Sequence, residues 1–165
     1  MDAIKAGMIL VPEDRRKNGI INGQTVRFNI LQSIWKRLSR FGWIDDREGD
    51  RVADRYMSDL AIRATSSRQP IQRLSGGNQQ KAIFARSLAS DPKILLLDDP
   101  TVGVDVETKK EIAEIIRRIG RQGNGVILVS SVVDELADLS DRVLVLQHGK
   151  TAFHKVTMEK IPIQA

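Results

Sequence analysis

The chain has 165 residues, 41% hydrophobic and 28% charged, with a formal net charge of +5 and no cysteine. That length suits one domain with a buried core, and the absence of cysteine excludes a disulfide framework and thiolate metal sites and fits a cytoplasmic protein. No apolar run approaches the ~18 residues that cross a bilayer, and the opening MDAIKAG, with an early acid and no long apolar stretch, does not read as a signal peptide.

In chain order, Gly7-Met8-Ile9-Leu10-Val11 reads as a short strand, stopped by Pro12 and a charged stretch to Lys17. Arg15-Arg16-Lys17 is the densest basic cluster and reads as a solvated face. The other cations are scattered among nearly as many acids, and one Tyr with four Phe is a poor supply for base stacking, so no nucleic-acid partner is expected. Asn18-Gly19 marks a turn. From Thr25 to Ala89 the periodicity is helical: Leu31, Ile34, Trp35 and Leu38 share one face, and Ala53, Tyr56, Met57 and Leu60 repeat the spacing. Ser66-Ser67 through Pro70 is a break, and a third helix is expected over Asn78–Ala89. Ile94-Leu95-Leu96-Leu97 is then a continuous apolar run of strand length, typical of a strand covered on both faces. A helix over Val106–Ile119 presents Ile112, Ile115, Ile116 and Ile119. Gly123-Asn124-Gly125 ends it, Val126–Val129 is the next strand, a short helix covers Asp134–Leu139, and Val143–Leu146 is a further apolar strand. Strand, helix, strand, helix, strand with short loops predicts a parallel α/β unit. The tail 157–165 carries little signal.

Two stretches carry chemistry. Leu74-Ser75-Gly76-Gly77-Asn78-Gln79-Gln80-Lys81 places two glycines at the start of a helix. Glycines admit close backbone approach, the first helical N–H groups are unpaired, and the dipole adds positive potential. With the Ser75 hydroxyl this suits an anion such as a phosphate; the same turn serves equally as a plain helix cap. Ile94-Leu95-Leu96-Leu97-Asp98-Asp99-Pro100 places two carboxylates at the C-terminal end of a buried strand, where open α/β sheets bind ligands. One carboxylate there can serve Mg²⁺ and its neighbour can orient a water; alternatively one of them only caps the turn at Pro100.

Together these stretches resemble the signature motif and Walker B strand of an ABC ATPase, with Gly103-Val104-Asp105 at the place of the D-loop. The variant SGGNQQK, with Val11-Pro12-Glu13-Asp14-Arg15-Arg16 and Val129-Ser130-Ser131, is similar to the carbohydrate-importer branch, and to the second of its two nucleotide-binding domains. The resemblance covers Asp2 to Phe153. It implies an incomplete P-loop NTPase-like core with parallel strands plus an α-helical signature subdomain. The division it implies is a strand and Q-loop-like segment (1–24), the helical subdomain (25–90), the α/β core (91–156) and a tail (157–165). It implies ATP and Mg²⁺ as cofactors. The signature residues Leu74, Ser75, Gly76, Gly77, Asn78 and Gln79 would meet ATP held by an opposing P-loop-bearing domain, with Ser75 and Gly77 at its γ-phosphate. Asp98 would serve Mg²⁺, Asp99 stands at the catalytic-glutamate position, Glu13 at the Q-loop glutamine, Ser131 at the switch histidine, and Asp105 in the D-loop. Residues 25 to 73 would touch an integral membrane permease, placing the protein on the inner face of the cell membrane.

The match also has departures. No G-x-x-x-x-G-K-[ST] run occurs in these residues. Gly149-Lys150-Thr151 is a fragment of one, but Leu144 stands where its first glycine belongs, so His148-Gly149 reads as a turn. The family's P-loop would lie upstream of Met1, and without its strand Val126–Val129 and Val143–Leu146 are expected to present open edges. Asp99 shortens the catalytic carboxylate by one methylene, and a misplacement of about 1 Å can cost on the order of 10²-fold in rate. Ser131 lacks an imidazole, and Glu13 puts a charge where the family has an amide. The isolated chain is therefore expected to be inactive and to supply at most the signature half of a composite ATP site. The competing expectations are a non-catalytic interaction module or truncated gene product with the same fold, and a chromosome-maintenance or DNA-repair ATPase, which the lack of sustained heptads disfavours.

Overall fold

The computed structural model describes residues 2–40, 43–147 and 150–155. A helical turn, α1 (Asp2–Lys5), leads through Gly7 at φ +83 into β1 (Met8–Val11). A single π-helical turn follows at Arg15–Gly19, capped by the Asp14 carboxylate, which accepts from the N–H groups of Arg16 and Lys17. Gly19 keeps a negative φ. Its reason is space: an added Cβ would lie 2.6 Å from Cδ1 of Ile83.

The helical region is built from short pieces. Thr25 caps α2 (Val26–Leu31), its hydroxyl accepting from Phe28 N at 3.0 Å. A 3₁₀ turn at Gln32–Ile34 joins it to α3 (Trp35–Leu38), and Phe28 meets Trp35 edge to face at 4.4 Å. Leu31, Ile34 and Leu38 are buried as their spacing implies. A two-residue hairpin that periodicity did not foretell, β2 (Ser39–Arg40) with β3 (Trp43–Ile44), precedes α4 (Asp46–Asp59), capped by Asp45. The break comes earlier than Ser66. Ala61 at φ +48 closes α4, with Ile62 N donating to Met57 O and Ala61 N to Ser58 O, the paired closure of a Schellman motif.

A 3₁₀ turn at Ile71–Arg73 leads to α5 (Gly76–Ala89), which begins two residues before the expected start at Asn78. The remaining elements are β4 (Ile94–Asp98), α6 (Val106–Arg121), β5 (Gly125–Val129), α7 (Val133–Leu139), β6 (Arg142–Gln147) and β7 (Lys150–Lys155). Strands β1, β4 and β5 form a parallel sheet in the order β1-β4-β5, with Val11 beside Leu97 and Leu97 beside Leu128. Helix α5 packs on β1 and α6 on β5. Leu95 and Leu97 point into a core with Phe84, Ile112, Ile115, Ile116 and Ile119.

Two expectations are corrected here. β6 does not continue the parallel sheet: it pairs antiparallel with β7, Val143 beside His154. An apolar run of strand length specifies a strand and not its neighbour. Nor is the sheet covered on both faces among the described residues. Leu10, Ile127 and Val129, on the face opposite the core, are 54%, 56% and 57% exposed, and β5 is an edge strand. The His148-Gly149 turn and the tail 157–165 lie outside the described residues.

Candidate functional site

Parallel register assembles the site. Because Val11, Leu97 and Leu128 are aligned, the residues just past each strand emerge at one end of the sheet. These are Glu13 after β1, Asp98 and Asp99 at the tip of β4, and Ser131 after β5. Glu13 is exposed, and its carboxylate has no hydrogen-bond partner among the described residues. Asp98 is half-buried, lies on the open face of the sheet with Leu96, and likewise accepts no hydrogen bond among the described residues. Asp99 is different. It sits at φ +40, a region unusual for a residue other than glycine, and its N–H continues the ladder to Val129 O at 2.9 Å. Its Oδ1 accepts from both the N–H and the hydroxyl of Ser131, at 2.8 and 3.1 Å. Asp99 and Ser131 are thus joined to each other, across 32 residues of sequence.

The glycine turn lies against the loop after β4 and the start of α6. Ser75 is exposed and is the N-cap of α5, its hydroxyl accepting from Asn78 Nδ2 at 2.9 Å and Asn78 N at 3.4 Å. Among the described residues the N–H groups of Gly76 and Gly77 carry no hydrogen bond, as the first turn of a helix dictates. Gln79 turns back, its amide donating to the carbonyls of Ile71 and Leu74, which it holds beneath the turn. Leu74 itself is buried. The glycines have separate steric reasons. A Cβ on Gly77 would lie 2.4 Å from Cγ2 and 2.6 Å from Oγ1 of Thr108, and one on Gly76 would meet the Arg15 guanidinium at 2.7 Å and Gly103 O at 3.4 Å. The turn therefore touches both the loop after β4 and the start of α6.

Asp105 caps α6, its carboxylate accepting from Thr108 N at 2.9 Å and from Thr108 Oγ1 at 2.7 Å. These bonds hold its carboxyl below the usual carboxylate range. A pKa lowered on folding adds stability that is complete above the unfolded value and is lost as pH falls through the folded one. Acidification below about pH 4 should therefore lower the melting temperature of the wild-type chain more than that of Asp105→Asn, which keeps the cap without the titration; parallel acid limbs in thermal melts would contradict this.

Several residues here escape sequence reasoning. Glu135, in the first turn of α7, accepts from Thr101 Oγ1 at 2.6 Å and Ser130 Oγ at 3.1 Å, with Lys109 Nζ at 3.8 Å. It ties the loops after β4 and β5 together, yet in sequence it is one more acid on a short helix. Lys81 is 1% exposed, its ammonium donating to Glu111 at 2.9 Å and to the Ala61 carbonyl at 2.6 Å. A polar cleft of about 200 Å³ lies beside it, lined by Ser75, Asn78, Asp105, Thr108 and Glu111 among others. Arg15 is not part of a solvated face, whereas Arg16 and Lys17 are exposed.

A parallel sheet with acids at its C-terminal tip, beside a helical layer that presents a double-glycine helix start, is the architecture of an ATP-binding cassette. The fold agrees with a solved dimeric ATP-binding cassette in a post-hydrolysis state bound to ADP and Pi (TM-score 0.76, 23% identity, 94% of this chain and 66% of that one). It also agrees with an inward-facing putative metal-chelate type ABC transporter (TM-score 0.75, 18% identity, 91% and 59%). The chain belongs to the ABC transporter family, whose model matches residues 3–102.

Curated relatives include the ribose import ATP-binding protein of Rubrobacter xylanophilus, 41% identical over 149 residues (90% of this chain, 29% of that protein). The arabinose import ATP-binding protein of Ralstonia nicotianae is 43% identical over 158 residues (92% and 31%). The xylose import ATP-binding protein of Burkholderia ambifaria is 44% identical over 149 residues (90% and 29%). The chain spans about three tenths of the length of these relatives. No helix among the described residues is long and apolar enough to cross a membrane.

Proposed function

We propose that this chain is an ATP-binding cassette segment of a carbohydrate importer, and that its own contribution to ATP chemistry is the Ser75–Gly77 turn, offered to nucleotide held by the P-loop of a partner cassette. The observation that carries the reading is the pair of N–H groups at Gly76 and Gly77, unbonded among the described residues, beside the exposed Ser75 hydroxyl, a donor set at the positive end of a 14-residue helix. The carbohydrate class comes from the ribose, arabinose and xylose import relatives.

In this reading Mg²⁺ would be held by Asp98. The donor set fits, because a single unengaged carboxylate with phosphate and water oxygens is a common way to hold that ion. Asp99 would be a poor base, since its Oδ1 is already held by Ser131 N–H and hydroxyl. Glu13 stands at the Q-loop position and Asp105 at the D-loop position. With the Asp105 carboxylate spent on its cap, the D-loop would act across the cassette interface through the placement of its backbone. The segments 1–24, 25–90 and 91–156 would serve as Q-loop strand, permease-facing helical subdomain and α/β core, with the protein peripheral on the cytoplasmic face of the membrane.

The test is ATP turnover by a P-loop-bearing importer cassette, with and without this chain. The expected result is stimulation that Ser75→Arg removes by roughly 10²-fold, the scale of losing preorganised donors to a developing charge. No stimulation, or stimulation indifferent to Ser75→Arg, would discard the proposal. The second reading, an interaction module without chemistry, draws on the mutual engagement of Asp99 and Ser131. It expects the chain to bind the partner cassette while leaving its turnover unchanged.

A further inference from the structure

In sequence Arg15 is one of three consecutive cations; in space it is the point where three segments of the site meet. Its Nη1 donates to Val102 O at 2.8 Å and its Nη2 to Gly103 O at 3.0 Å. Both carbonyls belong to the loop that follows Asp98 and Asp99, and Gly103 adopts φ +68 there. The same Nη2 lies against Gly76, where an added Cβ would sit 2.7 Å from it. Resting on the proposed role of the Ser75–Gly77 turn, we infer that Arg15 is a positioning residue, clamping the Val102–Gly103 backbone to the N-terminus of α5 so that the turn and the loop after β4 meet a phosphate as one unit.

Three physical points support the clamp. First, the placement is costly. A cation at the positive end of a helix is repelled by the dipole, the Nε is buried without a hydrogen-bond partner among the described residues, and desolvation pulls the guanidinium pKa down. The two carbonyl bonds offset that cost, and a solvated surface arginine would have no cause to bear it. Second, the base of the clamp is fixed. Arg15 opens the π-helical turn whose Gly19 packs on Ile83 of α5, and the Gly19 carbonyl accepts from Arg86 of the same helix. Arg15 therefore carries the position of α5 to the loop after β4. Third, the planar fork suits two adjacent carbonyls, whereas a lysine ammonium is a single point of charge.

Gly76 also acquires a reason beyond helix geometry. The nearest atom to an added Cβ is the end of a flexible side chain, so Gly76→Ala should displace the guanidinium and leave the backbone in place.

The experiment compares the full chain with Arg15→Lys and Gly76→Ala by amide hydrogen exchange. Both variants should speed exchange across 99–108 about tenfold, most clearly at Val102, whose N–H donates to Asp99 O, while exchange across 82–89 stays unchanged. Unaltered exchange at 99–108 in Arg15→Lys overturns the clamp. Turnover of the partner cassette then tests its purpose: Arg15→Lys should lower the stimulated kcat roughly tenfold, with the KM for ATP and the melting temperature unchanged. A loss that follows the melting temperature, or one confined to KM, overturns the positioning role. Ser75→Arg, run alongside, separates the two claims. If it spares stimulation, the function assigned to the turn fails and the purpose of the clamp with it. If it abolishes stimulation while Arg15→Lys leaves kcat intact, only the positioning role fails.

Discussion

Glu111→Ala destabilises the chain by about 3 kcal/mol, the low end of what breaking a buried ion pair costs, and destabilises it more than Lys81→Met does. The ammonium of Lys81 is buried to 1% exposure and has two partners, Glu111 at 2.9 Å and the Ala61 carbonyl at 2.6 Å. Removing the acid leaves that charge with one neutral acceptor inside the protein. Removing the base is different, because the Glu111 side chain is 31% exposed and has Arg63 at 3.6 Å, so it is left partly hydrated and partly paired. Methionine fills much the same volume, and the residual cost of about 1 kcal/mol is the Ala61 carbonyl left without a donor. The order of the two losses is the decisive point. Urea unfolding of both variants measures it, and a larger loss for Lys81→Met would show that the pair is held by packing rather than by charge.

Phe84→Ala is the second large effect, a loss of about 3–5 kcal/mol from removing a fully buried aromatic side chain and leaving a cavity. Phe84 is 0% exposed in the middle of α5, the helix that packs against α2, α4, α6 and β1. The loss is a large share of the ~5–15 kcal/mol that holds a typical domain together. It also bears on the site, because the Ser75–Gly77 turn is the first turn of that helix and moves with it. Calorimetry should show a large fall in melting temperature. A loss below about 1.5 kcal/mol, the range of well-tolerated core exchanges, would mean that α5 is not the spine of the fold.

The legible parts of this chain are those governed by local periodicity and local caps. Ile112, Ile115, Ile116 and Ile119 line one stripe of α6, and all four are buried. The apolar run Ile94–Leu97 is a strand, and Ser75 caps the helix that the glycines open. The start of that helix is less legible, since two glycines argue against helix on propensity. They are retained because Thr108 and Arg15 occupy the space their side chains would need.

The illegible parts depend on partners distant in sequence. Nothing in Arg15-Arg16-Lys17 distinguishes the first cation from the other two; only the approach of Val102 and Gly103 does. Glu135 looks like any helix-face acid until Thr101 and Ser130 reach it from two loops. Asp99 and Ser131 meet because β4 and β5 pair with Asp98 beside Val129, a register that neither strand carries alone. For the same reason the apolar run of β6 suggests a place in the parallel sheet, whereas the strand pairs with β7.

The sequence by itself determined the principal helices and strands and their order, the family and the chemistry-bearing residue types, because side-chain periodicity and motif spacing are properties of a linear chain. Only the tertiary structure decided which of those groups are engaged: Asp99 with Ser131, Asp105 with Thr108, Lys81 with Glu111, and Arg15 across Val102 and Gly103. Hydrogen bonds and desolvation depend on distances of a few ångströms between residues far apart in the chain, and those distances come into being only when the sheet and the helical layer have packed.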